Sequence, residues 1–585
     1  MDDTCRMDSM NNYPQTRTLL MTRKTNHSKR SSLEWSMLTL GLLVGLTGFA
    51  SVADATYSLP ADRSVVWQGN VGVKGDIPYL TTVYKTLSPS GADDTTAIKA
   101  AISSCPAGQV VKLASGTFKV SSSITVRSGV TLRGSGMGKT IIKGASGMTG
   151  AYVVGFNAGP SVGTSFPISS GFSKGSTTIT TAMAHGWKVG DIINIDQLND
   201  TGGDPVVTNA GTNGPCTWCG RANGTRALGQ TSKVMTVPSS TTATLEIPLS
   251  WDYASNLSPQ ATKINGITSN AGVEDLTIDN SASGSSKQGG NGATIAHYGT
   301  SNCWLLRVEA IGSYVTMVRM KQSYRDTIRG CKFHEGTPAL PATGTQYGTS
   351  RAYGIWLNPA SANLVENNQF YHVVAPVMMN GPASGNVFAY NYLTAQYYSP
   401  SAGWQTDAFR SHGAHPVMNL FESNWVVGRM NMDATWGSSS HNTFFRNRNT
   451  QDPQRPSAAW NYSLYAKSNY YNMVGNVIGT AGFETAYLST STKSIYGIAS
   501  AVYGTLTHAN WDSVTNGVVW DGSKDRSLPA SMYLSSKPSW WGNTPWPAIG
   551  PDVSPMYPAA PPVGGGTPWG TSKILLSPPT SLAVQ

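Results

Sequence analysis

Three of the chain's nine histidines fall within "TDAFRSHGAHPVMNLFESNWVVGRMNMDATWGSSSHNTFFRNRN", residues 406–449. His412, His415 and His441 share this stretch with Asp407, Glu422 and Asp433, with Arg410, Arg429, Arg446 and Arg448, and with Trp436. Two chemistries draw on such a set. Glycosidic hydrolysis needs one carboxylic acid to protonate the leaving oxygen and a second to activate water or attack directly, about 5–5.5 Å apart for retention and about 6.5–9.5 Å for inversion. Asp407 and Asp433 are the first candidate pair, with Glu422 in reserve; like charges at that range would lift one pKa and keep it protonated near neutrality. Elimination from a uronate needs a base for the C5 proton, an acid for the departing O4 and a cation on the carboxylate. His412 or His415 would be the base, a tyrosine or the same histidine the acid, and Arg410 the cation. In either case Arg410 and Arg446 suit a bidentate grip on a carboxylate, Trp436 suits stacking on a sugar ring, and His415 and His441 complete the binding set. The plainer alternative is that Glu422, Asp433 and His441 satisfy loop backbone and that Arg446 and Arg448 form a solvated row.

Residues so far apart in sequence need a scaffold that brings them together, and a repeat supplies one. "NLFESN" places amides at Asn419 and Asn424, five residues apart, and the pattern recurs. The pairs are Asp275–Asn280, Asn302–Arg307, Asp326–Cys331, Asn363–Asn368, Asn386–Asn391 and Asn442–Asn447, with a degenerate Tyr471–Asn476. The leading positions are 27, 24, 37, 23, 33, 23 and 29 residues apart, and no helical periodicity accompanies them. Units of this length with several short strands each predict a solenoid of β-coils stacked at about 4.8 Å, in which corner asparagines form ladders. Unequal spacing places inserted loops at chosen corners, where they would wall a groove. His297, Lys321 and Asn358 each lie five residues before a corner and are expected to share a face, with Lys321 and Asn358 as candidate binding residues.

The rest of the chain fits this frame. Residues 1–55 read as a secretion signal with a long polar leader, ending in "SVADA" with cleavage after Ala55. Residues 56–160 read as an N-terminal cap, including a helix at about 94–103, and the first coils; 161–262 as a β-rich insertion; 263–525 as the main coils; and 526–585 as a Pro/Trp/Gly-rich tail packed on the solenoid. The expected fold class is all-β, a single-stranded right-handed parallel β-helix with cap, insertion and irregular tail. Charged residues make up only 12% of the chain and the formal charge is +10, without a dense basic run, which excludes a nucleic-acid module and suits an anionic polysaccharide. A secreted or cell-surface location is expected, with the periplasm as the variant, together with a monomeric state and no membrane span. "CTWC" predicts a local Cys216–Cys219 disulfide, whereas Cys303 and Cys331 fall at repeat positions and are expected in the core. "GSGMGK", residues 134–139, lacks the spacing and strand–loop–helix context of a phosphate loop and reads as a turn.

The combination of "GADDTTAIKAAI", "GQVVKLASGTFKV", "GVTLRGSG" and the asparagine ladder resembles the pectate-lyase-like superfamily of right-handed parallel β-helices, over residues 85–525. That superfamily holds polysaccharide lyases, polygalacturonase-like hydrolases and depolymerases, and the resemblance implies a glycan groove along one parallel sheet. The Asn-x-Asp, paired Asp, Gly-His-Gly and Arg-x-Lys set of polygalacturonases is absent; "SHGAH", residues 411–415, echoes one element of it. The calcium-binding Asp cluster and Arg-x-x-x-x-Arg region of pectate lyases are also absent, so no metal or other cofactor is called for and calcium is not indicated. The expected function is hydrolysis of an acidic polysaccharide by carboxylate acid–base catalysis. The alternatives are a uronate-directed lyase in the same groove, and a non-enzymatic carbohydrate-binding adhesin or structural surface solenoid.

Overall fold

The computed structural model describes residues 57–156, 159–202, 205–282, 292–313, 315–336, 352–396, 405–453, 460–522 and 524–561. The predicted signal segment, residues 1–55, lies outside them, as do 337–351, 397–404 and 454–459. The chain winds as a right-handed parallel β-helix. Each turn contributes short strands to three parallel ladders, so residues 23 to 37 apart in sequence become lateral neighbours. One ladder carries the candidate chemistry and is called sheet I: β1 (Ala293–Ser301), β2 (Thr316–Tyr324), β3 (Tyr353–Leu357), β4 (Val377–Met379), β5 (Asp407–Gly413), β6 (Arg429–Trp436), β7 (Trp460–Leu464) and β8 (Ser494–Ile498), each parallel to the next. Sheet II runs through Thr327–Arg329, Leu364–Glu366, Val387–Ala389, Leu420–Glu422, Thr443–Phe445 and Asn472–Val474.

Period-two alternation sorts each strand. On β5 to β8, Phe409, Met430, Met432, Tyr462, Leu464 and Tyr496 point into one continuous core, and Arg410, Asn431 and Ser463 point out in register with one another. The amides form two ladders at the corners. Asn363 donates Nδ2 to Asn386 Oδ1 at 2.9 Å, Asn386 to Asn419 at 2.9 Å and Asn419 to Asn442 at 2.8 Å, and each Oδ1 also accepts the preceding coil's backbone N–H. A second ladder runs Asn368, Asn391, Asn424, Asn447, Asn476, Asn510. Tyr471 ends the first by accepting from Asn442 Nδ2 through its hydroxyl at 3.0 Å. Each buried amide is satisfied by its neighbours, which is why so many polar groups are tolerated inside the walls.

The early repeats differ from the sequence expectation. Asp275 stands level with Arg307, and the two form a two-bond ion pair at 2.6 and 2.8 Å; it does not stack on Asn302. The column occupied by Asp326 and Asn363 continues upward through Cys303, whose N–H donates to Asp326 Oδ1 at 2.9 Å. The amide ladder therefore starts at Asp326. Cys303 and Cys331 are buried thiols, as expected.

A helix at Thr95–Ser104 covers the first coils, one residue from the expected position. The segment at 134–139 is a turn with Gly136 and Gly138 at positive φ. Within the β-rich insertion, six antiparallel strands close into a small barrel: Ser161–Ser170, Thr178–Thr181, Ile192–Asp196, Gly229–Thr236, Thr242–Leu245 and Gln260–Asn265. Its core rests on Val417 and Met418 of the solenoid, and Thr231 N–H donates to Ser361 Oγ at 3.0 Å. The tail from Leu528 to Tyr557 lies over the outside of sheet II and buries an aromatic-rich layer with Tyr57 and Trp67. Among the described residues no helix is long and apolar enough to cross a membrane.

Candidate active site

The outer face of sheet I gathers charge at β5–β7. Asp407, fully buried, sits opposite Arg429. Arg429 Nε donates to its Oδ1 at 2.6 Å; Arg410 donates through Nε at 2.5 Å and again through Nη2 to Oδ2; Asn431 Nδ2 adds a bond at 2.9 Å. Burial alone would raise this carboxyl. The charges of Arg410 and Arg429, with the hydrogen bonds of Arg429 and Asn431, outweigh it and bring the carboxyl down to about 2. Asp407 is thus a permanent anion that spends both oxygens on holding two guanidiniums.

Asp433 lies one coil on. Its Oδ2 accepts from His412 Nδ1 at 2.8 Å and stands 3.8 Å from Arg410 Nε; its Oδ1 accepts from Thr435 N at 2.9 Å. A carboxylate accepting at Nδ1 fixes the ring of His412 and its tautomer, so that Nε2 is the unprotonated nitrogen. Tyr465 follows Met432's partner Leu464, and its N–H donates to Met432 O at 3.0 Å, which sets it in the column of Asp433. Burial raises the Tyr465 phenol, with Arg429 pulling it back and Asp407 adding to the rise, so it stays protonated at neutral pH. The expected neighbourhood of Asp407 and Asp433 exists, with Arg410 between them.

The column continues upstream. Tyr298 is level with Lys321, and the ladder carries on through Asn358 and Asn380 to His412. Beside it run Arg319, Trp356, Met378 and Arg410, with the Arg319 guanidinium stacked 3.5 Å from the Trp356 ring centre. From Lys321 to Tyr465 this stripe crosses six coils, roughly 24 Å. Lys321 and Asn358 do share this face. His297 does not: it pairs with Met320, points into the core and lies 3.0 Å from Asp326 through Nδ1.

Four other sequence candidates lie elsewhere. Glu422 faces outward on sheet II beneath the tail and accepts from Met532 N at 2.8 Å; burial pushes it up to about 7, against hydrogen bonds from Ser531 and Met532 and the charge of Arg446. Arg446 lies under the same tail, in a two-bond pair with Asp552 at 2.6 and 2.7 Å and with Pro529 O at 2.9 Å. His415 is buried between Ser438 Oγ and Ser440 Oγ, each at 2.9 Å, beneath Trp251 of the barrel, and burial with the charge of His441 pushes it down to about 3. His441 stacks on Tyr470 and meets Trp251 edge-on, with burial and then Lys174 and Arg63 bringing it down to about 4. Period-two alternation and the corner after Gly413 separate these four from Asp407, His412 and Asp433 despite their closeness in sequence. Trp436 stays near the site, edge-to-face with Trp218 of the insertion at 6.1 Å. The Cys216–Cys219 disulfide is formed and lies against Gly413.

Asn431, Tyr465, Asn380, Trp356 and Trp218 escaped the sequence analysis. Counting back from the corner residue could not find them, because Arg410 lies nine residues before its corner while its lateral partner Asn431 lies eleven before the next. Among the described residues no group of three or more His, Cys, Asp or Glu side chains is arranged to hold a metal ion.

Residues 89–198 match a family model described as rhamnogalacturonase A/epimerase, pectate lyase-like. The fold is the pectate-lyase-like parallel β-helix that the sequence resemblance implies. No curated protein matches the sequence. Among solved structures the chain is similar to the tailspike protein gp49 of Pseudomonas phage LKA1 (15% identity, 71% of each chain covered, TM-score 0.44). It is also similar to the A-module of the mannuronan C-5 epimerase AlgE4 of Azotobacter vinelandii (13% identity, 74% of this chain and 96% of that one, TM-score 0.37). A third is an alginate lyase of a Paenibacillus species (10% identity, 72% and 99%, TM-score 0.37).

Proposed function

We propose that the protein cleaves an acidic polysaccharide by β-elimination on the outer face of sheet I. The observation that carries this reading is the state of Asp407. A carboxylate held down to about 2, with both oxygens occupied by Arg410, Arg429 and Asn431, neither donates a proton nor attacks a sugar carbon. Asp433 is then left without a carboxylate partner on this face among the described residues, and the pair that hydrolysis requires is not usable. The same side chains satisfy the demands of elimination. A guanidinium has five N–H donors; Asp407 takes two from Arg410 and one from Arg429, and the remainder are available to neutralise a uronate carboxylate and acidify its C5–H.

His412, aligned by Asp433, takes the C5 proton on Nε2. The C5–H electrons form the C4=C5 double bond, the C4–O4 bond breaks, and the departing O4 receives the proton of Tyr465. Burial keeps that phenol protonated beforehand. Lys321, Asn358 and the Arg319–Trp356 stack upstream suit flanking uronate units, and the formal charge of +10 favours such a substrate. The family match covers the cap, the first coils and the start of the insertion and does not reach these residues, so the reaction is argued from their geometry. Export to the cell surface or beyond fits this substrate and stays part of the proposal.

Incubation with a panel of polyuronates and neutral glycans, followed by ultraviolet absorbance, tests the reading. A conjugated unsaturated uronate should accumulate, and His412→Gln should lower its rate by about 10²–10⁴-fold. New reducing ends without absorbance would restore the hydrolase; binding without any cleavage would favour the adhesin.

A further inference from the structure

The parallel ladder of sheet I loses its register at the residues that matter most. Ser411 pairs with Met432, but the next pair is Gly413 with Trp436, so β6 carries two extra residues at Asp433–Thr435. The regular strand pairing that fixes Arg410 against Asn431 does not fix His412 against Asp433. A different element is in contact there. The insertion sends a loop, Thr208–Arg221, onto both strands just beyond the two side chains. Thr212 N donates to Ala434 O at 3.0 Å and Asn213 N to Thr435 O at 3.1 Å. Thr208 O accepts from Ser438 N at 2.9 Å. On the other strand a Cβ on Gly413 would stand 2.8 Å from Cys219 Sγ and 3.0 Å from the Trp218 ring, so the glycine after His412 gives the disulfide and the indole room to pack there.

The loop is stiff for its length. The Cys216–Cys219 bridge closes its tip, Cys216 N donates to Asn209 O at 2.8 Å, and its base is held where Arg221 and Arg226 converge on Asp196 of the barrel wall. Those ion pairs measure 2.5 Å from Arg221 Nε, 2.7 Å from Arg221 Nη2 and 2.9 Å from Arg226 Nη1. We infer that this disulfide-closed loop positions the His412–Asp433 pair across the bulge, so that the insertion, together with the solenoid, sets the competence of the site. Cys216, Trp218 and Cys219 act as positioning residues through Gly413, and Thr212 and Asn213 through Ala434 and Thr435. The inference rests on the reading of His412 as the base.

The test uses the full chain labelled with ¹⁵N-histidine, as wild type, as Cys216→Ala/Cys219→Ala and as Trp218→Ala. His412→Gln identifies the His412 signals. In the wild type the Nδ1–H resonance of His412 should be visible, shifted downfield and protected from solvent exchange by its bond to Asp433. In both variants it should broaden or vanish at an unchanged thermal midpoint, with kcat for unsaturated product falling about 10–100-fold while KM changes little, since small displacements of a catalytic group act on kcat. An Nδ1–H signal and a kcat equal to the wild type's in the variants would overturn the inference. If the double variant does not fold, Trp218→Ala decides alone. If the wild type makes no unsaturated product, the elimination reading fails, and the resonance still reports whether the loop positions His412.

Discussion

A buried carboxylate on sheet I and one on sheet II behave in opposite ways. Asp407 on sheet I sits between Arg410 and Arg429 and is held down to about 2; Glu422 on sheet II, beneath the tail, is pushed up to about 7. Burial acts upward on both. What separates them is the number of cations in ion-pair contact, two around Asp407 and none against Glu422, which accepts from the backbone N–H of Met532. Burial therefore does not mark a catalytic acid in this molecule. The carboxyl with the pKa expected of one lies beneath the tail, whereas on sheet I Asp407 is held ionised between two arginines and Asp433 bonds His412.

The sharpest way to break that contrast is the same amide substitution at both positions. Asp407→Asn should lower unfolding stability at pH 7 by about 3–5 kcal/mol, because it leaves two buried guanidiniums without their counterion; denaturant titration measures it. Glu422→Gln should do the reverse. The folded pKa of Glu422 is raised from 4.5 to about 7, so its contribution is fully present below pH 4.5 and is lost as pH rises through 7. Wild type should lose about 3 kcal/mol over that window at 1.36 kcal/mol per unit, and Glu422→Gln should remove the slope. Asp407 has the opposite sign, its contribution present above 3.8 and lost as pH falls through about 2. An equal loss of stability in both variants at pH 8 would sink the comparison.

Arg446→Met tests the tail face by itself. It removes the two-bond pair with Asp552 and the bonds to Pro529 and Ile549 carbonyls. A loss of about 2 kcal/mol and faster proteolytic release of the tail are expected, with kcat for the elimination within about twofold of wild type. A kcat collapse would return Arg446 to the site. The smallest effect belongs to Trp436→Ala, where loss of one stacking surface should raise KM several-fold, about 1 kcal/mol, with kcat little changed.

Much of this was legible in the sequence because the repeat is a physical register. Once Asn386, Asn419 and Asn442 are equivalent corners, Asp407 and Asp433 are able to line one face on adjacent coils, and Arg410 lies close to both. Two kinds of information were not in the spacing. The side of the wall a residue faces follows period-two alternation from a known inward residue, and His297 lies one position away from the outward-facing column of Lys321. The tail and the barrel claim surface by tertiary packing alone, which is how Glu422, Arg446, His415 and His441 came to be buried under Met532, Asp552 and Trp251. The early ladder was misplaced because Asn302 has the right residue type one position before the true column, where Cys303 stands, and Asp275 lies level with Arg307 instead.

Mass spectrometry of the oligosaccharides released from a polyuronate decides the chemistry most directly. Elimination breaks the chain without consuming water, so every new non-reducing end should be one water lighter than its hydrolytic counterpart, and reaction in H₂¹⁸O should leave no heavy oxygen in the fragments at the moment of cleavage. Fragments of full hydrolytic mass that carry ¹⁸O would mean that two carboxylates, and not His412 with Tyr465, perform the reaction.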